Sequence, residues 1–410
     1  MSVSVAVDSA LTLNNGFEIK NRFFKSAMSE QLGTRDHAPS EGLANLYGTW
    51  ADGGIGLMMT GNVMIDFNAL GEPRNVVLAK GSALAPFKRW ADAGQRNGAK
   101  LWMQLNHPGK QIPSFLNKKP VAPSAIPLGN GLEKVFATPR ALEEHEILEI
   151  IQRFATSAAL AKEAGFSGVQ IHGAHGYLVS QFLSPRHNQR TDRWGGSAEN
   201  RMCFVLEVYR AMRSAVGDEY PIGIKLNSAD FMKDGFAEEE SMAVFQALDN
   251  EGINLIEISG GTYESPEMMG KNVRESTRKR EAYFLEYAEQ ARGVVKTTLV
   301  VTGGFRSAEG MQEALGSGAT DMIGLARPLT VYPDLPNRIL QDRTYKVDVQ
   351  RPSTGLKAVD MAAMLDISWF EQQLHRLAKG KPSNKNLGAW SAAFHALLST
   401  GVHTFQKRRA

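Results

Sequence analysis

The chain has 410 residues, room for one large domain or two ordinary ones, and its 43% hydrophobic and 22% charged content is that of a globular protein. A formal net charge of +3 gives no global signal for nucleic acid, and no apolar run is long enough to span a bilayer. Cys203 is the only cysteine, which excludes an intrachain disulfide, a cysteine-held iron–sulfur cluster and a multi-cysteine zinc site. With no basic segment leading into an apolar stretch at the N-terminus, the expected setting is a reducing cytoplasm, without nucleic acid or membrane as partner.

In chain order, Leu11 to Lys20 reads as a β-hairpin, because Asn15-Gly16 is a favoured turn pair with apolar alternation on both sides. Strands are then expected near 23–28, 55–60, 100–105, 168–172, 221–226, 254–258, 298–302 and 321–324. Helical patterns fill most of the gaps, for example 82–97, 143–164, 237–251, 281–296 and 307–316. Eight strands alternating with helices predict α/β architecture as a single (β/α)8 TIM barrel. A doubly wound sheet would carry a Gly-x-Gly-x-x-Gly turn after its first strand, and there is none.

Side-chain parity sharpens this reading, since alternate residues of a barrel strand face the helices or the barrel axis. Leu101, Met103 and Leu105 oppose Trp102 and Gln104; Val169 and Ile171 oppose Gln170 and His172; Ile222, Ile224 and Leu226 oppose Gly223 and Lys225. The polar members Gln104, His172 and Lys225 take the axial parity near strand C-terminal ends, where barrel active sites lie. Burying such groups unpartnered costs about 2 kcal/mol or more each, so polar partners are expected there.

The densest chemistry follows the fourth strand. His172, His175 and Tyr177 stand close together, two imidazoles able to hold an oxyanion and a phenol able to give a proton. A polar loop then runs to Ser197, an N-cap for the next helix. Arg190, Asp192, Arg193, Trp194 and Glu199 read as a network that fixes this loop, while His187 is too far along it to complete a metal site with the two histidines. Near the end of the alternation, Gly303 and Gly304 follow the seventh strand and Arg327 the eighth, the usual phosphate-binding place in barrels.

Two stretches exceed what a barrel needs. Residues 106–142 form a long loop after the third strand, and residues 344–410 form a C-terminal helical extension beyond a barrel domain spanning 1–343. In that extension Asp360 to Leu377 reads as one amphipathic helix with the stripe Trp369, Phe370, Leu374 and Leu377, packing on the barrel or on a second subunit in a homo-oligomer. The terminal Gln406-Lys-Arg-Arg-Ala410 reads as a solvated basic end.

Five separated motifs resemble the old yellow enzyme family of flavin-dependent ene-reductases over most of residues 10–340. They are Asn21-Arg-Phe-Phe-Lys-Ser-Ala-Met-Ser29, Gln104 in Leu-Trp-Met-Gln-Leu, the block His172 to Arg201, Ile224-Lys-Leu-Asn-Ser-Ala-Asp230, and Thr302-Gly-Gly-Phe with Gly324-Leu-Ala-Arg. The resemblance implies a barrel that binds FMN noncovalently at its C-terminal mouth and takes hydride from NADPH or NADH. By position it places Ser26, Ala27, Met28 and Ser29 under the flavin ring, with Ser29 on flavin O4, Gly61 and Gln104 on the pyrimidine edge, and Lys225 by N1 and O2. It further implies that Gly303, Gly304, Ala326 and Arg327 hold the phosphate, that His172 and His175 grip the substrate carbonyl, and that Tyr177 donates the proton. Many members have Arg at the place of Lys225, Thr or Cys at Ser29, and Gly at Ala326.

The implied activity is ping-pong reduction, at one site, of activated C=C bonds in α,β-unsaturated carbonyl or nitro compounds, by hydride from flavin N5 and a proton from Tyr177. The partners are then a small-molecule alkene and a nicotinamide. Two other readings stay open from the residues alone: a phosphate-binding aldolase or isomerase that uses Lys225, and a flavin-binding sensor without turnover.

Overall fold

The computed structural model of the chain describes residues 5–265, 281–282, 284–349, 352–394 and 396. Eight short strands, Phe23–Lys25, Leu57–Met59, Lys100–Asn106, Gly168–Gly173, Ile222–Asn227, Leu255–Ser259, Thr298–Thr302 and Met322–Leu325, pair in parallel, each with its neighbour in sequence. The ring closes through Ile323 against Phe23 between the eighth and first strands, and through Met58 against Leu101 between the second and third. The helices that follow them are Glu41–Asp52, Ala85–Gly94, Glu144–Glu163, Ala198–Val216, Glu238–Asn250, Leu285–Arg292, Ala308–Gly316 and Leu335–Gln341. This is the (β/α)8 barrel that the alternation predicts.

Parity decides what fills each side. Leu101, Met103, Val169, Ile171, Ile222 and Ile224 lie in one large buried cluster with helix residues such as Phe154, Phe204 and Phe245. The opposite parity forms a separate cluster inside the barrel from Phe24, Leu57, Met59, Trp102, Leu255, Val300 and Met322. The N-terminal hairpin pairs Leu11 with Ile19 and adds Leu11, Leu13 and Ile19 to that inner cluster. Phe17 meets the Trp102 ring edge-on at 6.0 Å, so the hairpin closes one end of the barrel with apolar side chains.

Trp102 fits the axis because its neighbours are small. A Cβ at Gly168 would lie 2.5 Å from the indole, and one at Gly223 would lie 3.1 Å from it. These two glycines leave room for the largest side chain in the barrel.

Helix starts are set locally as the sequence suggests. Ser197 caps Ala198–Val216 by accepting from the Asn200 amide at 3.3 Å. The loop before it is fixed by Arg190, whose guanidinium clasps Asp192 and donates to the carbonyls of Pro123 and Leu142. The long loop after the third strand carries one short parallel pair, Val121–Ala122 with Arg140–Ala141.

The extension differs from the single helix expected over Asp360 to Leu377. Met364 adopts φ 46°, which breaks the chain into two helices, Lys357–Ala362 and Leu365–Ala378. Left-handed backbone cannot continue a right-handed helix, and the break lets the second segment turn its apolar stripe inward. Trp369, Phe370, Leu374 and Leu377 are all buried. Asn45 of the first barrel helix donates to the Ala378 carbonyl, Gln31 donates to Glu371 at 3.1 Å, and Ser383 donates to the Val331 carbonyl at 2.6 Å. The extension therefore lies against this chain's own barrel. The basic end, 406–410, is outside the described residues. Among the described residues no helix is long and apolar enough to cross a membrane.

Candidate active site

The C-terminal ends of the strands bring the predicted residues to one mouth. The fourth strand carries His172 one residue before its end, and the turn after it places His175 and Tyr177 against it: the His172 and Tyr177 rings are 4.7 Å apart and the two imidazoles 5.2 Å apart, all nearly perpendicular. His175 takes φ 61°, a left-handed conformation uncommon for a side chain of this size, and its amide donates to Asn227 Oδ1 at 3.3 Å. Its Nε2 is 2.7 Å from Ser259 Oγ at the end of the sixth strand. The Ala174 amide donates to His172 Nδ1 at 3.4 Å, which makes Nε2 the protonated nitrogen of a neutral ring.

Burial, reinforced by the Lys225 charge, holds both imidazoles well below the usual histidine range. They are therefore neutral hydrogen-bonding groups at physiological pH. The ring-nitrogen resonances of His172 and His175, observed by NMR, should stay put between pH 8 and pH 6; titration of both rings in that window would contradict the buried geometry. Burial first, then Tyr263 and Glu72, push the Tyr177 phenol well above its ordinary value, so it keeps its proton. Tyr177 is only 6% exposed, and its hydroxyl lies 2.9 Å from that of Tyr263, a residue 41% exposed overall.

Below this cluster lies a layer of buried polar side chains. Gln104 donates to Gln170 at 2.7 Å, and Gln170 donates to Glu257 at 2.9 Å. Lys225 donates to Ser26 Oγ at 2.9 Å and lies 3.2 Å from Glu257 Oε1. Ser26 and Thr302 both donate to that same Oε1, Thr302 at 2.8 Å. The polar partners expected of Gln104 and Lys225 are thus Gln170 and Glu257, neither of which the motifs single out.

Ala27, Met28 and Ser29 continue from the first strand along the rim and are half-buried. Ser29 Oγ donates to Glu72, a carboxyl pushed up to about 7 by burial and by Glu371 of the extension. Gly61 donates its amide to Tyr47 Oη at 2.9 Å and to Glu30 at 3.2 Å. A Cβ there would lie 2.1 Å from the Glu30 carboxylate, so only glycine fits. Under this rim Lys25 is fully buried, donating to the Met59 carbonyl and Tyr47 and pairing with Glu30 at 3.7 Å; burial lowers its ammonium to about 8.

At the seventh strand Gly303 and Gly304 have φ of 107° and 96°, backbone that side-chain-bearing residues rarely adopt. Ala326 leads into a short helix, Arg327–Val331, and the Arg327 guanidinium lies 5.8 Å from the Phe370 ring centre of the extension.

A second buried cluster ties the surrounding loops together. Lys110 lies 2.8 Å from His187 Nδ1, and His187 Nε2 lies 3.2 Å from Glu264. Glu264 is adjacent to Tyr263, so this cluster joins the loop after the third strand, the loop after the fourth and the segment that carries Tyr263. Sequence reasoning placed His187 in a loop and missed Lys110, Glu264 and Tyr263, because nothing local announces that these loops meet.

A barrel with a histidine–tyrosine cluster over a floor of buried amides and a Lys225–Glu257 pair, with a glycine pair after the seventh strand and an arginine after the eighth, is the arrangement of a class of barrel oxidoreductases. The residue types present suit FMN: Gln104 carries an amide, Lys225 an amine beside Ser26, Gly303 and Gly304 left-handed backbone, and Arg327 a guanidinium of the kind that pairs with a phosphate dianion. The family described as NADH:flavin oxidoreductase / NADH oxidase matches residues 10–346, and the chain belongs to it. The chain is 37% identical over 361 residues to the NADH-dependent flavin oxidoreductase iliE of Hypocrea jecorina (strain QM6a), covering 82% of this chain and 89% of that protein. Among solved structures it is similar to an old yellow enzyme homologue from Zymomonas mobilis, with a TM-score of 0.71 and 26% identity over 84% of this chain and 95% of that one. Morphinone reductase matches with a TM-score of 0.70 and 26% identity, covering 87% of this chain and 94% of its own. The protein is an enzyme of old yellow enzyme type, using FMN with NADH or NADPH as hydride donor for flavin-dependent C=C reduction.

Proposed function

We propose that the enzyme reduces activated C=C bonds of α,β-unsaturated carbonyl or nitro compounds, with nicotinamide and alkene taking turns at one mouth. The observation that carries this reading is the neutral His172–His175 pair held against a protonated, buried Tyr177. Two neutral imidazoles can share a carbonyl or nitro oxygen, which draws charge from the alkene and makes its β-carbon electrophilic. Tyr177 then supplies a proton to the α-carbon, with the Tyr263 hydroxyl as its hydrogen-bond partner. When bound, FMN supplies the hydride carrier between the two substrates. Ser26, Ala27, Met28, Ser29, Gly61, Gln104 and Lys225 hold its ring system in this reading, and Gly303, Gly304, Ala326 and Arg327 its phosphate.

In this reading the catalytic unit is 1–343, and 344–410 is an extension whose helix Leu365–Ala378 packs on its rim. The Lys225 nitrogen is a donor to Ser26 and ion-paired with Glu257. A Schiff-base lysine must present a free amine, so this pairing speaks against an aldolase. Anaerobic visible spectroscopy with NADH or NADPH, followed by cyclohexenone, tests the proposal. The flavin band should bleach with the nicotinamide and return with the enone. A bleached protein that no enone or nitroalkene restores would overturn the alkene reading, and one that never bleaches would favour a flavin-binding sensor.

A further inference from the structure

Glu257 is wholly buried inside the barrel, between Ile256 and Ile258 whose side chains face the helices. Strand register sets it directly beside Lys225. Its two oxygens gather four partners from four other strands or strand ends: Ser26, Gln170, Lys225 and Thr302. Through Gln170 the chain of contacts reaches Gln104 as well. One carboxylate thus ties together the axial polar residues of the first, third, fourth, fifth and seventh strands. It also places a negative charge 3.2 Å from the cation expected to face the flavin.

We infer that Glu257 is a positioning residue for the flavin site, which aims Lys225 and keeps the flavin's reduction potential low by offsetting the lysine's charge. The inference rests on the FMN reading of the mouth. Two-electron reduction adds negative charge to the cofactor, and a nearby uncompensated cation favours the reduced form. With Glu257 ionised beside it, the Lys225–Glu257 pair is close to neutral, and this preference is weakened. Lysine in place of arginine belongs to the same arrangement. A compact ammonium with three donors can serve Ser26 and Glu257 and keep one N–H for a ligand, without the planar fork that arginine would have to seat.

The test is the midpoint potential of the FMN-loaded protein, read by anaerobic dye equilibration, with the FMN dissociation constant measured alongside. Glu257→Gln keeps the shape and most hydrogen bonds but removes the charge. It should stabilise the reduced over the oxidised form at least tenfold, an upward shift of about 30 mV for a two-electron couple. Removing the lysine's charge as well, in Lys225→Met with Glu257→Gln, should bring the potential back towards wild type. Should Glu257→Gln fail to fold alone, the comparison of Lys225→Met with the double variant reads the same carboxylate, again with a tenfold upward shift expected. A change under twofold in both backgrounds, with FMN bound, overturns the role of Glu257. Wild-type protein that neither carries FMN nor takes it up on reconstitution overturns the FMN reading instead.

Discussion

Replacing Tyr177 by Phe is expected to lower the rate of enone reduction by about 10²–10⁴-fold, the range for removing a positioned general acid, while reduction of the enzyme by NADH or NADPH should stay within about twofold of wild type. The phenol is buried, held protonated, and edge-on to His172 at 4.7 Å, so phenylalanine preserves the packing and deletes only the hydroxyl. Stopped-flow measurement of the two half-reactions separates the effects. Equal losses in both halves would mean that Tyr177 shapes the pocket and gives no proton. The same reading assigns Tyr263→Phe a smaller loss, also confined to the alkene half, because Tyr263 supports the donor only through the hydroxyl contact at 2.9 Å. A full-sized loss there would make Tyr263 the donor and Tyr177 its support.

Trp102→Ala is expected to cost about 3–5 kcal/mol of stability, the range for truncating a fully buried aromatic. The indole is wholly buried on the barrel axis, under Phe17 of the hairpin and against Gly168 and Gly223, whose missing side chains leave nothing able to collapse into the space. Chemical denaturation followed by far-UV circular dichroism measures the loss. A cost below about 1 kcal/mol would show that the hairpin refills the barrel end, and that the inner cluster is less rigid than its packing indicates.

The axial alternation behind both predictions was open to reading along the chain. Strand parity in 101–105, 168–172 and 222–226 placed Trp102, Gln104, His172 and Lys225 on the inner side, where they are found. Period-two patterning is a local property of extended backbone, so it survives without knowledge of the fold. Glu257 carried the same signal, a carboxylate between two isoleucines in a short apolar strand, and its partners could have been sought by register. The break at Met364 was less accessible. The amphipathic pattern runs on through it, and only the need to lay Trp369 and Phe370 against the barrel decides the left-handed residue.

Alternation of apolar segments determined the eight-strand barrel, and residue chemistry at strand ends determined which side chains face its mouth, because both depend on neighbours within a few positions. What tertiary structure alone decided is which loops meet. Ser29 rests on Glu72, Tyr177 on Tyr263, and Lys110 on His187 and Glu264, with the extension's Gln31–Glu371 and Arg327–Phe370 contacts closing the rim. These pairs join segments far apart in the chain. Their proximity is set by barrel closure and by where the stripe Trp369, Phe370, Leu374 and Leu377 is buried; the local pattern shows that stripe but not the surface it meets.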